Sequence, residues 1–235
     1  KFGFKISHID KMNPAEIREK ILSLNQQEAQ LDRIVNSMIQ YMVDLDMEGF
    51  ENVIDDYISA RGIEKTISQI IFPFLEKIGI LWLTNHINPG QEHLVTNIIR
   101  QKLIVGIEMV RSSVQSDKTV LLFLPEGEYH ELSLLFINYM LKSKGVKTIY
   151  LGCSIPLNDV EQLAKLKKPD YLYTHLTTSG AKFNIDKFLE GLGKRMPDTR
   201  VIISGLLTTT YEKKILPPIQ FKRSYAEVME FITGV

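Results

Sequence analysis

The first half of the chain repeats apolar residues three and four positions apart, the spacing that places them on one face of an α-helix. We predict helices over 14–24, 28–44, 46–61, 63–82 and 91–113. Gly62 and the pair Pro89-Gly90 interrupt the pattern, as helix-breaking residues do. Because short connections join the four longer helices, residues 25–116 are predicted to form a four-helix bundle.

The second half shows a different pattern, in which short continuous apolar runs alternate with amphipathic stretches. Thr119–Leu124 and Val146–Leu151 are predicted as buried strands, with a helix over Tyr129–Lys144 between them. Such a succession is a βαβ unit with parallel strands. Further strands are predicted over 170–176, 200–204 and 219–221, and further helices over 157–167, 184–195, 208–214 and 224–232. The predicted fold class is α + α/β, with a flavodoxin-like (Rossmann-like), doubly wound sheet of five parallel strands over 117–235.

Composition and charge exclude several classes of protein. Lys and Arg together number 28, as do Asp and Glu, so the zero net charge argues against a strong nucleic-acid footprint within these residues. The single cysteine, Cys153, excludes an internal disulfide and a cysteine-based zinc site. The use of a single cysteine fits a cytoplasmic setting. No apolar run reaches the roughly 20 residues of a membrane span, so we expect no membrane partner. The chain does not begin with Met, and we expect it to be a piece of a longer protein.

Candidate chemistry lies directly after the first predicted strand. In open α/β sheets, ligands bind at the carboxyl ends of the strands, and here that position holds Glu128 and His130. An imidazole can offer one nitrogen to a metal while a carboxylate holds the other ring N–H and determines the tautomer. The alternative is that His130 only caps the following helix or faces solvent. No acid/base pair, nucleophile triad or phosphate-binding loop is evident, so we predict no catalytic residue.

The motif Glu128-x-His130-x-x-Ser133 resembles the Asp-x-His-x-x-Gly signature of cobalamin-binding domains. The resemblance implies that His130 is the lower axial ligand of cobalt, replacing the vitamin's own base, and that Glu128 orients its ring. The longer acid can still reach the imidazole. Ser133 adds atoms where a glycine would let the nucleotide tail of the cofactor lie close to the helix start.

Two strand ends extend this resemblance. Thr174-x-Leu176 and Ser204-Gly205 are similar to the Ser-x-Leu and Gly-Gly motifs of the family, which implies that they line a groove for the nucleotide tail, called here the tail groove. The alternative is ordinary loop chemistry, because Ser, Thr and Gly end many strands. Each substitution adds bulk, so we expect cobalamin, as adenosylcobalamin or methylcobalamin, to bind weakly or not at all.

The helical half carries a further motif, Trp82 followed after nine residues by Glu92-His93. This resembles the Trp-x9-Glu-His signature of the helical cap in cobalamin-dependent MerR-type regulators. The resemblance implies that the three residues line the upper face of the cofactor. The photoreceptor members carry a histidine after this tryptophan, whereas this chain has Leu83, which implies no light-driven adduct with two protein histidines.

The start of the chain supports a regulator. Phe4–Ile9 resembles the stretch that closes the winged-helix DNA-binding domain of MerR-type proteins, so residues 1–24 are predicted to end and link such a domain. The resemblance implies a homo-oligomeric effector domain that senses a corrinoid and reaches DNA through a domain outside this chain. Two alternatives stay open: a corrinoid carrier of a methyltransferase system, and a degenerate domain that has lost cobalamin and serves dimerisation.

Overall fold

A computed structural model of the chain describes the backbone of residues 14–83, 87–177 and 183–235. Within these ranges the side chains are described except those of 14–24, 82 and 83. The predicted DNA-binding-domain segment Phe4–Ile9 therefore lies outside the described residues. So do His86 and the hydroxyl residues Thr178 and Ser179 that follow the third strand.

The N-terminal part is helical, as predicted. Its elements are α1 (Pro14–Val43), α2 (Met47–Arg61), α3 (Ile63–Thr66), a π-helical turn (Ile67–Ile71), α4 (Phe72–Leu83) and α5 (Pro89–Met109). The break predicted between residues 24 and 28 is wrong, because α1 continues through it as one helix. Its sequence there, Asn25-Gln26-Gln27, contains neither Gly nor Pro, and Gln is a good helix former.

Local signals explain where these helices start and stop. The Asp46 side chain accepts a hydrogen bond from Gly49 N at 2.9 Å and so caps α2. Gly62 ends α2 with a φ of 81°, a conformation that side chains with a Cβ rarely adopt. The apolar stripes meet in a shared core, in which Phe50 of α2 and Phe74 of α4 have ring centroids 5.3 Å apart. The core also includes Val35, Met38, Met42, Ile54, Ile70, Ile71 and Ile78.

The C-terminal part is a parallel α/β sheet. Its elements are β1 (Thr119–Pro125), α6 (Glu131–Ser143), β2 (Lys147–Ile155), α7 (Leu157–Lys167), β3 (Tyr171–His175), α8 (Ile185–Arg195), β4 (Arg200–Ser204), α9 (Leu206–Thr210), β5 (Ile219–Lys222) and α10 (Tyr225–Gly234). All four strand pairs are parallel, in the order β2-β1-β3-β4-β5. This is the flavodoxin-like order, so the predicted fold class is confirmed.

Strand β2 is longer than predicted. It continues through Gly152, whose φ is 87°, to Ile155, and its pairing with β1 shifts register at Phe123. The shift has the character of a β-bulge, which re-aims side chains at the end of a strand. It brings the end of β2 beside the loop that follows β1.

The chain divides into two compact units, one up to Ile98 and one from Ile99 to Val235. The division falls within α5, whereas the sheet itself begins at Thr119. We call the two parts the helical unit and the sheet unit. The domain limits predicted from the sequence, after residues 24 and 116, stay predictions. Within the described ranges, no helix combines the length and the apolar character needed to cross a membrane.

The two faces of the sheet are covered by different helices. Side chains of Leu121, Leu172 and Ile203 belong to a core that also includes residues of α7 and α8. Since successive side chains of a strand alternate between faces, Tyr173 and Ser204 lie on the other face. There the Tyr173 ring stacks on Phe231 of α10, with centroids 5.8 Å apart.

A close approach of backbones holds the ends of β3 and β4 together. Leu176 N donates to Ser204 O at 2.8 Å, and Leu207 N donates to Leu176 O at 3.2 Å. Gly205 lies between these bonds with a φ of 101°, and a Cβ built there would lie 2.3 Å from Leu176 O. Only glycine fits this position without moving backbone.

We predict that Gly205→Ala lowers the free energy of unfolding by about 2–4 kcal/mol, because it adds both a clash and a strained φ. The matched control is Gly193→Ala in α8, where a Cβ meets no atom within 4 Å. It should be neutral or stabilise slightly, since alanine favours a helix. Urea unfolding of the two variants measures both effects, and equal midpoints would contradict the interpretation.

Candidate functional site

A tight loop after β1 brings Glu128 and His130 together at the carboxyl edge of the sheet. Gly127 takes a φ of 84°, and Glu128 N donates to Pro125 O at 2.9 Å to close the turn. From β2, Ser154 N donates to Glu128 O at 3.1 Å. The loop is therefore fastened at both strands, and the position of His130 is determined by backbone bonds.

The Glu128 carboxylate is the centre of this arrangement. Only 3% of its side chain is exposed. Oε1 accepts from the backbone N of His130 at 3.0 Å and contacts the ring Nδ1 of His130 at 2.5 Å. Oε2 accepts from Thr177 N, after β3, at 3.0 Å. One buried side chain thus joins the loop after β1 to the end of β3 and orients the imidazole.

His130 has the properties of an oriented metal ligand. It precedes the first residue of α6, and 52% of its side chain is exposed. With Nδ1 directed at the carboxylate, Nε2 is the nitrogen through which the ring would bind a metal. No group of three or more His, Cys, Asp or Glu residues that could hold a metal ion occurs in the described part of the chain. One imidazole supplies one ligand, so it suits a metal whose other ligands arrive with a cofactor.

A second carboxylate secures the first turn of α6. Tyr150 of β2 donates its hydroxyl to Glu131 Oε1 at 2.9 Å, and Arg100 Nε lies 3.6 Å from Glu131 Oε2. Burial, together with the neighbouring Glu131 charge, raises the pKa of Tyr150 far above its ordinary value, so the phenol keeps its proton. Ser133, half-buried two residues after Glu131, lies in the same turn of helix.

The ends of β3 and β4 place the predicted tail-groove residues on different faces. Register pairs Thr174 with Ile203 and His175 with Ser204, so Thr174 does not share the face of Ser204. Thr174 is buried, and its hydroxyl has no hydrogen-bond partner among the described residues. Leu176 belongs to the core on the side of α7 and α8. The structure therefore does not bring all four residues to one groove.

Ser204 takes part in a row of hydrogen bonds that the sequence did not predict. Its Oγ lies 2.6 Å from the Tyr173 hydroxyl and 2.8 Å from Nδ1 of His175. His175 is close enough to Glu128 and His130 for both charges to act on it. Burial lowers the pKa of His175 to about 4, so the ring is neutral near pH 7.

His175, Tyr173 and the backbone N–H of Thr177 were missed as site residues. A histidine at the carboxyl end of a parallel strand was an available signal, because ligand sites lie there. The motif Thr174-x-Leu176 predicted the two residues on either side of His175 instead. Alternate residues of β3 face opposite sides of the sheet. The pairing of the strands determines which of them face α6, and this pairing is decided only in the folded sheet.

In the helical unit, the second motif lies at two helix ends. Trp82 is the penultimate residue of α4, and its side chain lies outside the described part. Glu92 lies in the first turn of α5 and His93 directly after it, and Glu92 is half-buried whereas His93 is exposed. Their role above a cofactor stays a prediction.

Comparison with protein families supports the cofactor. Residues 34–105, within the helical elements α1–α5, match a family described as a B12 binding domain. The resemblance to cobalamin-binding proteins found in the sequence is thereby confirmed, and cobalamin is supported as the cofactor. His130 and the sheet lie outside the matched range, so the assignment of the metal ligand depends on the local motif and its geometry.

Two curated relatives are transcriptional repressors of Myxococcus xanthus. The chain is 25% identical over 161 residues to the HTH-type transcriptional repressor CarH, covering 68% of this chain and 53% of the relative. It is 25% identical over 191 residues to the HTH-type transcriptional repressor CarA, covering 80% of this chain and 63% of the relative. The chain thus spans less than two thirds of the length of each relative.

A solved structure shows the same fold. The monomethylamine corrinoid protein of Methanosarcina barkeri superposes with a TM-score of 0.65 at 13% identity, covering 87% of this chain and 99% of that chain. At this identity the likeness concerns the fold alone.

His175 predicts a pH dependence of stability. In the unfolded chain its pKa is near the ordinary 6.5, whereas the folded protein holds it at about 4. The unfolded state therefore binds more protons between these values, and stability falls as the pH drops from about 6.5 to about 4. In His175→Asn, we expect the decrease in the free energy of unfolding over this pH range to be smaller by on the order of 2 kcal/mol.

Urea unfolding of both proteins at about pH 7 and about pH 4.5 measures the difference on either side of the His175 transition. The subtraction removes the contributions of Glu128 and His130, which both proteins keep. The same loss in both proteins would show that His175 is not held neutral by burial.

Proposed function

We propose that this chain is the corrinoid-sensing effector part of a transcription regulator, with His130 as the protein ligand of cobalt. The observation that carries the proposal is the pairing of His130 with the buried Glu128 at the carboxyl edge of β1. Structural histidines also bond carboxylates, but this ring is half exposed and lies where open α/β sheets bind ligands.

A corrinoid fits a site with a single imidazole. A corrinoid brings the other ligands of its cobalt with it, so the protein would need to supply only one nitrogen. Glu128 would keep the proton on Nδ1, present Nε2 and increase the electron density of the ring. The carboxylate has its own anchor in Thr177 N, so the imidazole keeps its orientation without any contribution from the ligand.

We assign the upper side of the ligand to the helical unit. Most of the B12 binding domain match, which spans residues 34–105, falls in this unit, and the motif of Trp82, Glu92 and His93 lies within the match. A ligand that contacts both units would favour one arrangement of them by its differential affinity for that arrangement. This coupling is the physical basis of a sensor, because it converts occupancy into a change of assembly.

A regulator of this kind also needs macromolecular partners. Both curated relatives are named as HTH-type repressors, and each is longer than the matched region. We propose that DNA is bound by a part of the protein outside this chain, that the effector part forms homo-oligomers in the cytoplasm, and that it performs no catalysis.

The fold likeness to a corrinoid protein favours one other function, a carrier that presents cobalt to methyltransferases. The two functions differ in what happens to the upper ligand. A carrier must expose the methyl group to partner enzymes, whereas a sensor changes its own assembly. Sedimentation with and without bound methylcobinamide separates them, since only the sensor changes oligomeric state.

We predict that His130→Ala abolishes nitrogen coordination from the protein and weakens corrinoid binding at least about tenfold, because no other described imidazole occupies this loop. The measurement is titration with methylcobinamide in the dark, followed by desalting and an absorbance spectrum. Methylcobinamide has no base of its own, so any nitrogen bound to cobalt comes from the protein.

Glu128→Gln is the companion variant, which keeps the shape of the side chain and removes its charge. It should weaken binding about tenfold and leave a nitrogen-coordinated spectrum, as loss of an orienting partner does. If His130→Ala leaves the spectrum and the affinity unchanged, His130 is not the cobalt ligand. The pairing of His130 with Glu128 would then no longer support the proposed function.

A further inference from the structure

Of the residues predicted to lie along the nucleotide tail, Ser133 is in α6 and Ser204 is on the face of the sheet that also carries Tyr173. On that face, side chains of the protein itself occupy the place of the tail groove. On the side of α6 and α10, the ends of β3 and β4 present Tyr173, His175 and Ser204. Tyr173 is fully buried, and only 1% of Ser204 is exposed. A groove at this place would have to pass through these side chains.

Aromatic rings occupy the space between this face and its helices. The Tyr173 ring stacks on Phe231 of α10. Phe136 of α6 is buried and stacks on Tyr225 of α10, which is itself 48% exposed, with centroids 6.5 Å apart. These contacts run from the sheet to α10 and from α10 to α6. Opening the space would expose several large apolar surfaces to water or to a polar ligand.

On this face, the polar side chains of the strand ends form hydrogen bonds with one another. The Ser204 hydroxyl is held between the Tyr173 hydroxyl and His175, so it already has two partners. Gly205, which could offer room, is instead used for the close approach to Leu176. A nucleotide tail would have to displace protein hydrogen bonds before making its own.

From these observations we propose that this site selects corrinoids without a nucleotide tail, such as cobinamides, over complete cobalamins. The inference rests on the proposed function, since it concerns the same His130 site. The His130 edge can present its imidazole to cobalt, while the row of Tyr173, Ser204 and His175 keeps the tail groove closed. A misfit in a packed site costs about 1–3 kcal/mol, which is about one to two decades in affinity.

The test compares methylcobinamide with methylcobalamin in dark titrations of the same protein. We expect the intact protein to bind methylcobinamide at least about tenfold more tightly. Part of such a preference could arise because cobalamin must first release its own base. The second half of the test therefore opens the groove and leaves His130 unchanged.

The opening variant is Ser204→Gly combined with His175→Ala, which removes two members of the row. It should raise affinity for methylcobalamin at least about tenfold and change that for methylcobinamide by less than about threefold. The matched control is Ile203→Val, which removes one methyl group at the neighbouring position on the opposite face and should leave the ratio unchanged. If the double variant does not fold, Ser204→Gly alone takes its place in the same titrations, with a change in the same direction expected.

The outcomes separate the inference from the function on which it rests. If the intact protein binds methylcobalamin as tightly as methylcobinamide, or if the opening variants leave the ratio unchanged, the closed groove is wrong and the cobalt ligand stands. If neither corrinoid binds, the proposed function fails, and the selectivity fails with it.

Discussion

The buried carboxylate of Glu128 is the interaction on which the rest of the site depends. It accepts hydrogen bonds from the backbone of His130 and from Thr177 N, and it contacts the His130 ring. A carboxylate removed from water is unfavourable unless such donors compensate it. The loop after β1, the end of β3 and the imidazole must therefore hold one arrangement together, and this preorganises the histidine before any ligand arrives.

Two neighbouring places at the same sheet edge differ in how tightly their side chains are packed. At β1 the chain keeps a polar, partly open loop around His130, and at β3 and β4 it packs Tyr173, His175 and Ser204 against aromatic helices. Packing of this kind stabilises the sheet by removing apolar surface from water. It also removes the space that a deep ligand tail would need. The chain thus combines an oriented imidazole, which we propose as the cobalt ligand, with closely packed side chains at the neighbouring strand ends.

The function that we propose needs residues of both units. Most of the family match, which spans residues 34–105, falls in the helical unit, while the oriented histidine lies in the sheet unit. Neither half alone would be a sensor, because a signal requires that ligand occupancy favour one arrangement over another. The curated relatives are named as HTH-type repressors, whereas the solved structure that shares the fold is a corrinoid protein. The regulator that we propose and a corrinoid carrier are therefore the two functions that the sedimentation experiment must distinguish.

Periodicity determined the helices, the five strands and the edge where His130 lies, because hydrophobic spacing and the position after a buried strand are local properties of the chain. Periodicity also predicted a break in α1 that does not exist. The polar residues at that place contain neither Gly nor Pro, so they remain compatible with a helix. The motif predicted the Glu128–His130 pair, whose partners lie two residues apart. The sequence did not show that Thr174 and Ser204 face opposite sides of the sheet, or that His175 joins Ser204 and Tyr173. Those facts depend on the register between β3 and β4, and a shift of one residue exchanges the two faces, so only the folded sheet decides them.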